Sequence, residues 1–174
     1  MREEHGLILL NTGDGKGKTT AAIGVAFRAL GHGLRVGMLQ FIKGKWKTGE
    51  RKLGEQTPGL TWLTMGHGFT WESEDLDRDR AAARYAWQTA QGWLAGDDFD
   101  LVILDEITYA VNYGFVPIEE VVDALQNRRT GLHVILTGRD APPELIAVAD
   151  LVTEMRPIKH PYKDGVRAQK GVEF

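Results

Sequence analysis

Cysteine is absent from this 174-residue chain, which excludes disulfides, thiolate metal sites and a cysteine nucleophile, and suits a cytosolic protein. Long apolar runs are missing too. At the N-terminus residues 7–10 (LILL) are too short for a signal peptide or a membrane span, and Asn11 interrupts them. A soluble, cytoplasmic protein with no membrane partner is expected. There is no large charge surplus: 21 Lys plus Arg stand against 24 Asp plus Glu, a net charge of -3, so nothing draws nucleic acid or an anionic surface as a whole. A small charged ligand fits this balance better. The five histidines lack any paired spacing such as H-E-x-x-H, so no zinc site follows, and His67 and His160 read as loop residues. Without an internal repeat, a low-complexity tract or a long linker, residues 1–174 read as one domain, and 43% hydrophobic content supplies its core.

What is present is a glycine-rich loop. Residues 12–20 (TGDGKGKTT) lie between the apolar run 7–10 and an alanine-rich amphipathic segment, the strand, loop and helix order of a triphosphate site. Gly13, Gly15 and Gly17 would let backbone N–H groups approach phosphate oxygens without a Cβ in the way. Lys16 and Thr20 complete the loop, Lys18 offers a point charge, and the hydroxyl of Thr19 suits Mg²⁺. Asp14 is expected to point outward, because a carboxylate aimed into the loop would repel phosphate. In the usual pattern the first glycine stands five positions before the last Gly-Lys pair, where this chain has Thr12; its first glycine comes one place later. An unusual phosphate path is therefore expected. A plain glycine turn between strand and helix is the alternative, disfavoured by Lys18, Thr19 and the flanks.

Short apolar runs at 7–10, 36–42, 60–65, 101–104, 133–136 and 151–155 alternate with helical patterns. This predicts an α/β domain with a mainly parallel sheet and helices on both faces. Residues 18–30 predict a helix with Ala22, Ile23, Ala26, Phe27 and Leu30 on one face, its N-terminus toward the phosphates. Ser73 can cap a second helix striped by Leu76, Ala83, Trp87, Ala90 and Leu94; Trp87 and Trp93 read as packing residues. Pro117 at a first helical position, Glu119 and Glu120 beside it, and Arg128 and Arg129 at the far end predict a third. Residues 43–58 and 156–174 read as irregular segments that could border a substrate.

The run 102–106 (VILDE) ends in two carboxylates, the form of a second metal-binding motif in phosphate-loop proteins, and one of Asp105 and Glu106 is expected to serve Mg²⁺. Strand alternation keeps both from one space unless the strand ends between them. Arg139, closing the run 136–139 (LTGR), falls at the same sheet edge and can pair with triphosphate or stand as a surface charge. The basic strip of Lys43, Lys45, Lys47, Arg51 and Lys52 around Trp46 reads as a solvated or phosphate-facing loop rather than a nucleic-acid module. Phe69 and Trp71, in a glycine-bounded loop after a predicted strand, offer an aromatic surface for a large flat ligand.

Six blocks in this order, 12–22 (TGDGKGKTTAA), 40–50 (QFIKGKWKTGE), 68–72 (GFTWE), 104–110 (LDEITYA), 136–139 (LTGR) and 156–174 (RPIKHPYKDGVRAQKGVEF), resemble the phosphate-loop ATP:corrinoid adenosyltransferases over residues 6–174. The resemblance implies a RecA-type phosphate-loop (P-loop NTPase-type) domain acting as a homodimer. It implies transfer of the 5′-deoxyadenosyl group of ATP to the cobalt of a reduced corrinoid, with release of triphosphate, in adenosylcobalamin biosynthesis or salvage. By similarity Gly13, Asp14, Gly15, Lys16, Gly17, Lys18, Thr19, Thr20 and Arg139 bind ATP, Thr19 and Glu106 serve Mg²⁺ or Mn²⁺, and Phe69 and Trp71 border the corrinoid. A flavin-type or flavodoxin-type reductant is implied for Co(II). Many relatives carry a longer N-terminal segment that helps to cover the site, whereas five residues precede Gly6 here. Since Co(I) is itself the nucleophile, no Ser, Cys or His arrangement is needed. A small-molecule kinase and an ATP-driven assembly protein are the competing functions for the same loop.

Overall fold

Each of the six apolar runs is bounded by polar or turn residues and becomes a short strand in a computed structural model that describes residues 5–41, 48–65 and 76–173. The strands are β1 (Ile8–Thr12), β2 (Val36–Gln40), β3 (Leu60–Thr64), β4 (Leu101–Asp105), β5 (His133–Thr137) and β6 (Leu151–Glu154). They form one sheet in the order β3-β2-β4-β5-β1-β6 with every neighbouring pair parallel, so all six carboxyl ends share one edge. Strand β4 is buried along its whole length, as a central parallel strand covered on both faces must be, while the edge strand β6 is exposed throughout.

Strand alternation divides the core in two. Val102 and Leu104 face one side with Leu10, Leu39, Val134 and Leu136; there they meet α3 (Leu76–Ala95), α4 (Ile107–Asn112), α5 (Ile118–Gln126) and α6 (Pro143–Val148). Leu101 and Ile103 face the other with Met38, Trp62 and Ile135, under α1 (Lys18–Gly31) and beside α2 (Gly49–Gly54). The fold is thus α/β with helices on both faces of the sheet. No helix among the described residues is long and apolar enough to cross a membrane.

Several local expectations change. Helix α1 packs through Ala22, Ala26 and Ala29, whose small side chains admit close approach to the sheet, and Phe27 is instead 53% exposed. Leu76, expected in the buried stripe of α3, is its first residue and is exposed. Pro117 precedes α5 rather than opening it, and Arg128 and Arg129 lie beyond its end. Arg128 still serves the helix terminus, donating to the carbonyls of Leu125 at 2.7 Å and Leu132 at 3.1 Å, and to that of Gly6. The segment 43–58 contains α2, and the C-terminal stretch contains a 3-10 turn at Pro161–Asp164. Ser73 lies outside the described residues.

Trp87 is fully buried in α3, and its indole N–H donates to Glu120 of α5 at 3.2 Å. Trp87→Ala should therefore cost about 3 to 5 kcal/mol in denaturant unfolding. Trp87→Phe should recover most of it, losing the indole bond at about 1 kcal/mol. A loss below 1 kcal/mol for the alanine variant would contradict its packing role.

Candidate active site

Strand β1 ends at Thr12, and the chain turns out through Gly13 at φ 92° to reach Gly17 at φ 113°, the residue that caps α1. The loop is shaped from below by the chain leaving β6. A Cβ on Gly13 would lie 2.5 Å from the carbonyl oxygen of Met155, and one on Gly15 2.7 Å from the same oxygen. The N–H of Gly15 donates to that carbonyl at 2.7 Å. Gly13 and Gly15 are thus demanded by the contact with Met155 as well as by any phosphate, and the Gly15 amide is already engaged. Asp14 is exposed, as expected, and so are Lys16, which pairs with Glu173, and Thr20.

Lys18 is only 7% exposed, and its Nζ donates to the carbonyls of Gly13 at 2.7 Å and Gly15 at 2.8 Å. Burial pushes its pKa down, while the charge of Glu106 pulls it back. The next side chain, Thr19, reaches Asp105: its Oγ1 is 2.9 Å from Asp105 Oδ1. That carboxylate, 3% exposed, also accepts from Thr137 Oγ1 at 2.7 Å and from Gln40 Nε2 at 3.0 Å. Burial raises the Asp105 pKa against the opposing effect of these three bonds.

The strand ends between the two carboxylates. Asp105 is the last residue of β4, and Glu106 follows at φ 61°, a left-handed conformation uncommon for a side chain with a Cβ. Its N–H donates to Thr137 Oγ1 at 2.9 Å. This break brings the Glu106 carboxyl under the influence of Asp105, Lys18 and Arg139 together. Glu106 Oε2 is buried and has no hydrogen-bond partner, so it is a free hard-oxygen donor. Burial, then the Asp105 charge, raise the Glu106 pKa to about 7, opposed by Lys18 and Arg139.

Arg139 is exposed at the same edge, directly after Gly138, whose φ is 145° and where a Cβ would lie 1.9 Å from Thr108 Oγ1. Its charge acts on both Lys18 and Glu106. The structure therefore gathers Lys18, Thr19, Asp105, Glu106 and Arg139, while Phe69 and Trp71 lie outside the described residues. Sequence reasoning missed Gln40, the one polar side chain inside the apolar run 36–42, and Thr137, the polar residue that follows the run 133–136. It also missed Met155, and Tyr109, whose pKa is raised first by burial and then by Glu106. Among the described residues no group of three or more His, Asp or Glu side chains is poised to hold a metal. A divalent ion here would take few protein oxygens and rely on phosphate, the habit of Mg²⁺.

The Glu106 carboxyl makes a pH dependence testable. Its folded pKa of about 7 lies above the ordinary 4.5. The native protein thus holds a proton that the unfolded chain releases between these values. Its contribution to stability is full below about pH 4.5 and is lost as pH rises through 7, by about 3 kcal/mol. Urea unfolding between pH 5 and 8, without Mg²⁺ or nucleotide, should show Glu106→Gln losing less stability than the parent by about that amount. Asp105, shifted in the same direction, is common to both proteins. Parallel profiles would contradict the buried carboxyl.

A family model described as ATP:corrinoid adenosyltransferase BtuR/CobO/CobP matches residues 4–174. The chain is 48% identical over 173 residues to a corrinoid adenosyltransferase of Escherichia coli K12, covering 99% of this chain and 88% of the relative. It is 47% identical over 173 residues to the corrinoid adenosyltransferase CobA of Salmonella typhimurium LT2, with the same coverage. Over 174 residues it is 47% identical to a corrinoid adenosyltransferase of Pseudomonas aeruginosa PAO1, covering 99% of this chain and 86% of that one. Among solved structures, the flagellar accessory protein FlaH of Methanocaldococcus jannaschii superposes with a TM-score of 0.58 at 11% identity. It covers 86% of this chain and 71% of that chain, a likeness of fold alone. With its loop, its paired carboxylates and nearly its whole length matched, the chain belongs to the ATP:corrinoid adenosyltransferase family.

Proposed function

We propose that this protein transfers the 5′-deoxyadenosyl group of ATP to the Co(I) of a reduced corrinoid and releases triphosphate. The observation that carries it is the single sheet edge shared by the phosphate loop, the unpartnered Glu106 Oε2, Lys18 and Arg139, in a chain of this family. We read residues 1–174 as one RecA-type phosphate-loop domain, on the strength of the parallel sheet and the loop between β1 and α1. Activity as a cytoplasmic homodimer, with a flavin-type or flavodoxin-type reductant for Co(II), rests on family membership.

The electron pair of Co(I) forms the bond to C5′ as the C5′–O bond breaks, and the leaving oxygen carries its electrons away on triphosphate. Negative charge grows on the α-phosphate side, so cations held there favour departure. Lys18, anchored by the carbonyls of Gly13 and Gly15, and Arg139, beyond Gly138, supply them, and the charge of each acts on Glu106. Thr19 Oγ1 and the free Glu106 Oε2 are hard oxygens suited to Mg²⁺ or Mn²⁺. A divalent ion bound there would neutralise phosphate charge. Because the cobalt is the nucleophile, these residues need only bind, orient and exclude water. Phe69 and Trp71 would face the corrinoid and fill the space of an axial ligand.

Anaerobic incubation with ATP, Mg²⁺ and chemically reduced corrinoid should yield triphosphate and a light-sensitive cobalt–carbon product in equal amounts. ADP with a phosphorylated product would instead make the protein a kinase, and no product across several corrinoids would overturn the transfer. Phe69→Ala or Trp71→Ala should impair the reaction from Co(II) with a mild electron donor yet largely spare that from Co(I) supplied already reduced. Equal losses in both assays, with the fold intact, would make the pair a general corrinoid surface.

A further inference from the structure

Gln40 is the last residue of β2 and sits in register with Asp105 on one side and Thr64 on the other. Its side chain joins them. Nε2 lies 3.0 Å from Asp105 Oδ2, while Oε1 lies 3.0 Å from Trp62 Nε1 and 3.1 Å from Thr64 Oγ1. The orientation of this amide follows from chemistry. An indole N–H only donates, so the atom facing Trp62 must be the oxygen, and the atom facing Asp105 must be the nitrogen. Thr137 is constrained in the same way from the other end: its Oγ1 accepts the N–H of Glu106, leaving its one hydrogen for Asp105 Oδ1. Two donors of fixed direction thus converge on Asp105 and hold its carboxylate as an acceptor, with Thr19 Oγ1 at 2.9 Å as its third partner. When Thr19 donates to that acceptor, its lone pairs are left for a cation.

We propose that Gln40 is a positioning residue for adenosyl transfer: its one-way amide holds Asp105, and through it the Thr19 hydroxyl, in the orientation that a metal-bound triphosphate needs. The same amide ties this arrangement to the tip of β3. Thr64 ends that strand, the N–H of Met65 donates to the carbonyl of Gln40 at 3.0 Å, and the chain runs on to the segment carrying Phe69 and Trp71. The nucleotide half of the site and the root of the aromatic segment therefore share one hydrogen-bonded row. This role rests on the nucleotide reading given above.

The test separates positioning from structure by measuring ATP affinity with and without Mg²⁺. In the parent, Mg²⁺ should tighten ATP binding. In Gln40→Met, of similar length and without polar atoms, metal-free affinity should stay within about twofold while the gain from Mg²⁺ falls on the order of tenfold, the usual effect of removing a partner behind a metal ligand. The double variant Trp62→Phe, Thr64→Val keeps Gln40 but releases its oxygen, so the Mg²⁺ gain should fall in the same direction by a smaller factor. It also provides the readout if Gln40→Met does not fold. The indole N–H resonance of Trp62, identified by its loss in Trp62→Phe, should shift when Mg²⁺ and ATP are added to the parent. Equal losses with and without metal, an unchanged Mg²⁺ gain in a folded variant, or an indole signal blind to Mg²⁺ and ATP would each overturn the positioning role. Absence of ATP binding by the parent would remove the nucleotide reading itself.

Discussion

A carboxylate taken out of water costs several kcal/mol unless hydrogen bonds replace its hydration, and Asp105 is such a carboxylate at the centre of the sheet. Its satisfaction dictates much around it. Thr19 must approach from α1, Thr137 from β5 and Gln40 from β2, which sets the first turn of α1 and the tips of the two strands beside β4 relative to one another. Parallel register makes this possible. Gln40 pairs with both Asp105 and Thr64, and Asn11 pairs with both Thr137 and Thr153, so polar residues line up across the carboxyl ends of successive strands. Apolar side chains fill the rows below, and the change of polarity falls at the carboxyl ends of the strands.

The glycine-rich loop is shaped by a distant part of the chain. Thr12 occupies the place where a first glycine is usual, and it is still a strand residue, its Oγ1 accepting the N–H of Ala141 at 3.3 Å. The turn needs a left-handed residue only at the next position, and Gly13 supplies it without colliding with Met155. Glycine at position 13 thus meets the limit that Met155, delivered by β6, sets on the loop. The C-terminal segment returns to the same loop, where Glu173 pairs with Lys16. Apart from that pair the segment is largely exposed, and it carries Arg156, Lys159, Lys163, Arg167 and Lys170.

Charge in the site is arranged around Glu106. Lys18 and Arg139 oppose the effects of burial and of Asp105 on its carboxyl, yet its pKa stays raised, at about 7. A divalent cation would reverse that balance by adding positive charge beside an oxygen that lacks a partner. The left-handed backbone of Glu106 breaks the strand directly after Asp105, and the hydrogen bond that its N–H donates to Thr137 Oγ1 holds that break.

From residues alone, the alternation of apolar runs with helical patterns determined the α/β class and all six strands, because burying a parallel strand on both faces requires such runs. The order TGDGKGKTT, then LDE, then LTGR determined that a glycine-rich loop, paired carboxylates and an arginine would end at one edge, since parallel strands put every carboxyl end there. Helices α2, α4 and α6, of six residues each, were not legible, because so few residues show no helical period. The inward face of α1 was misjudged at Phe27, because hydrophobicity does not reveal that alanines come closest to the sheet. Which carboxylate is saturated and which keeps a free oxygen depended on the backbone angle at Glu106 and on donors from β2, β5 and α1. Those donors are 65, 32 and 86 residues from Asp105 in sequence, and only folding brings them to it.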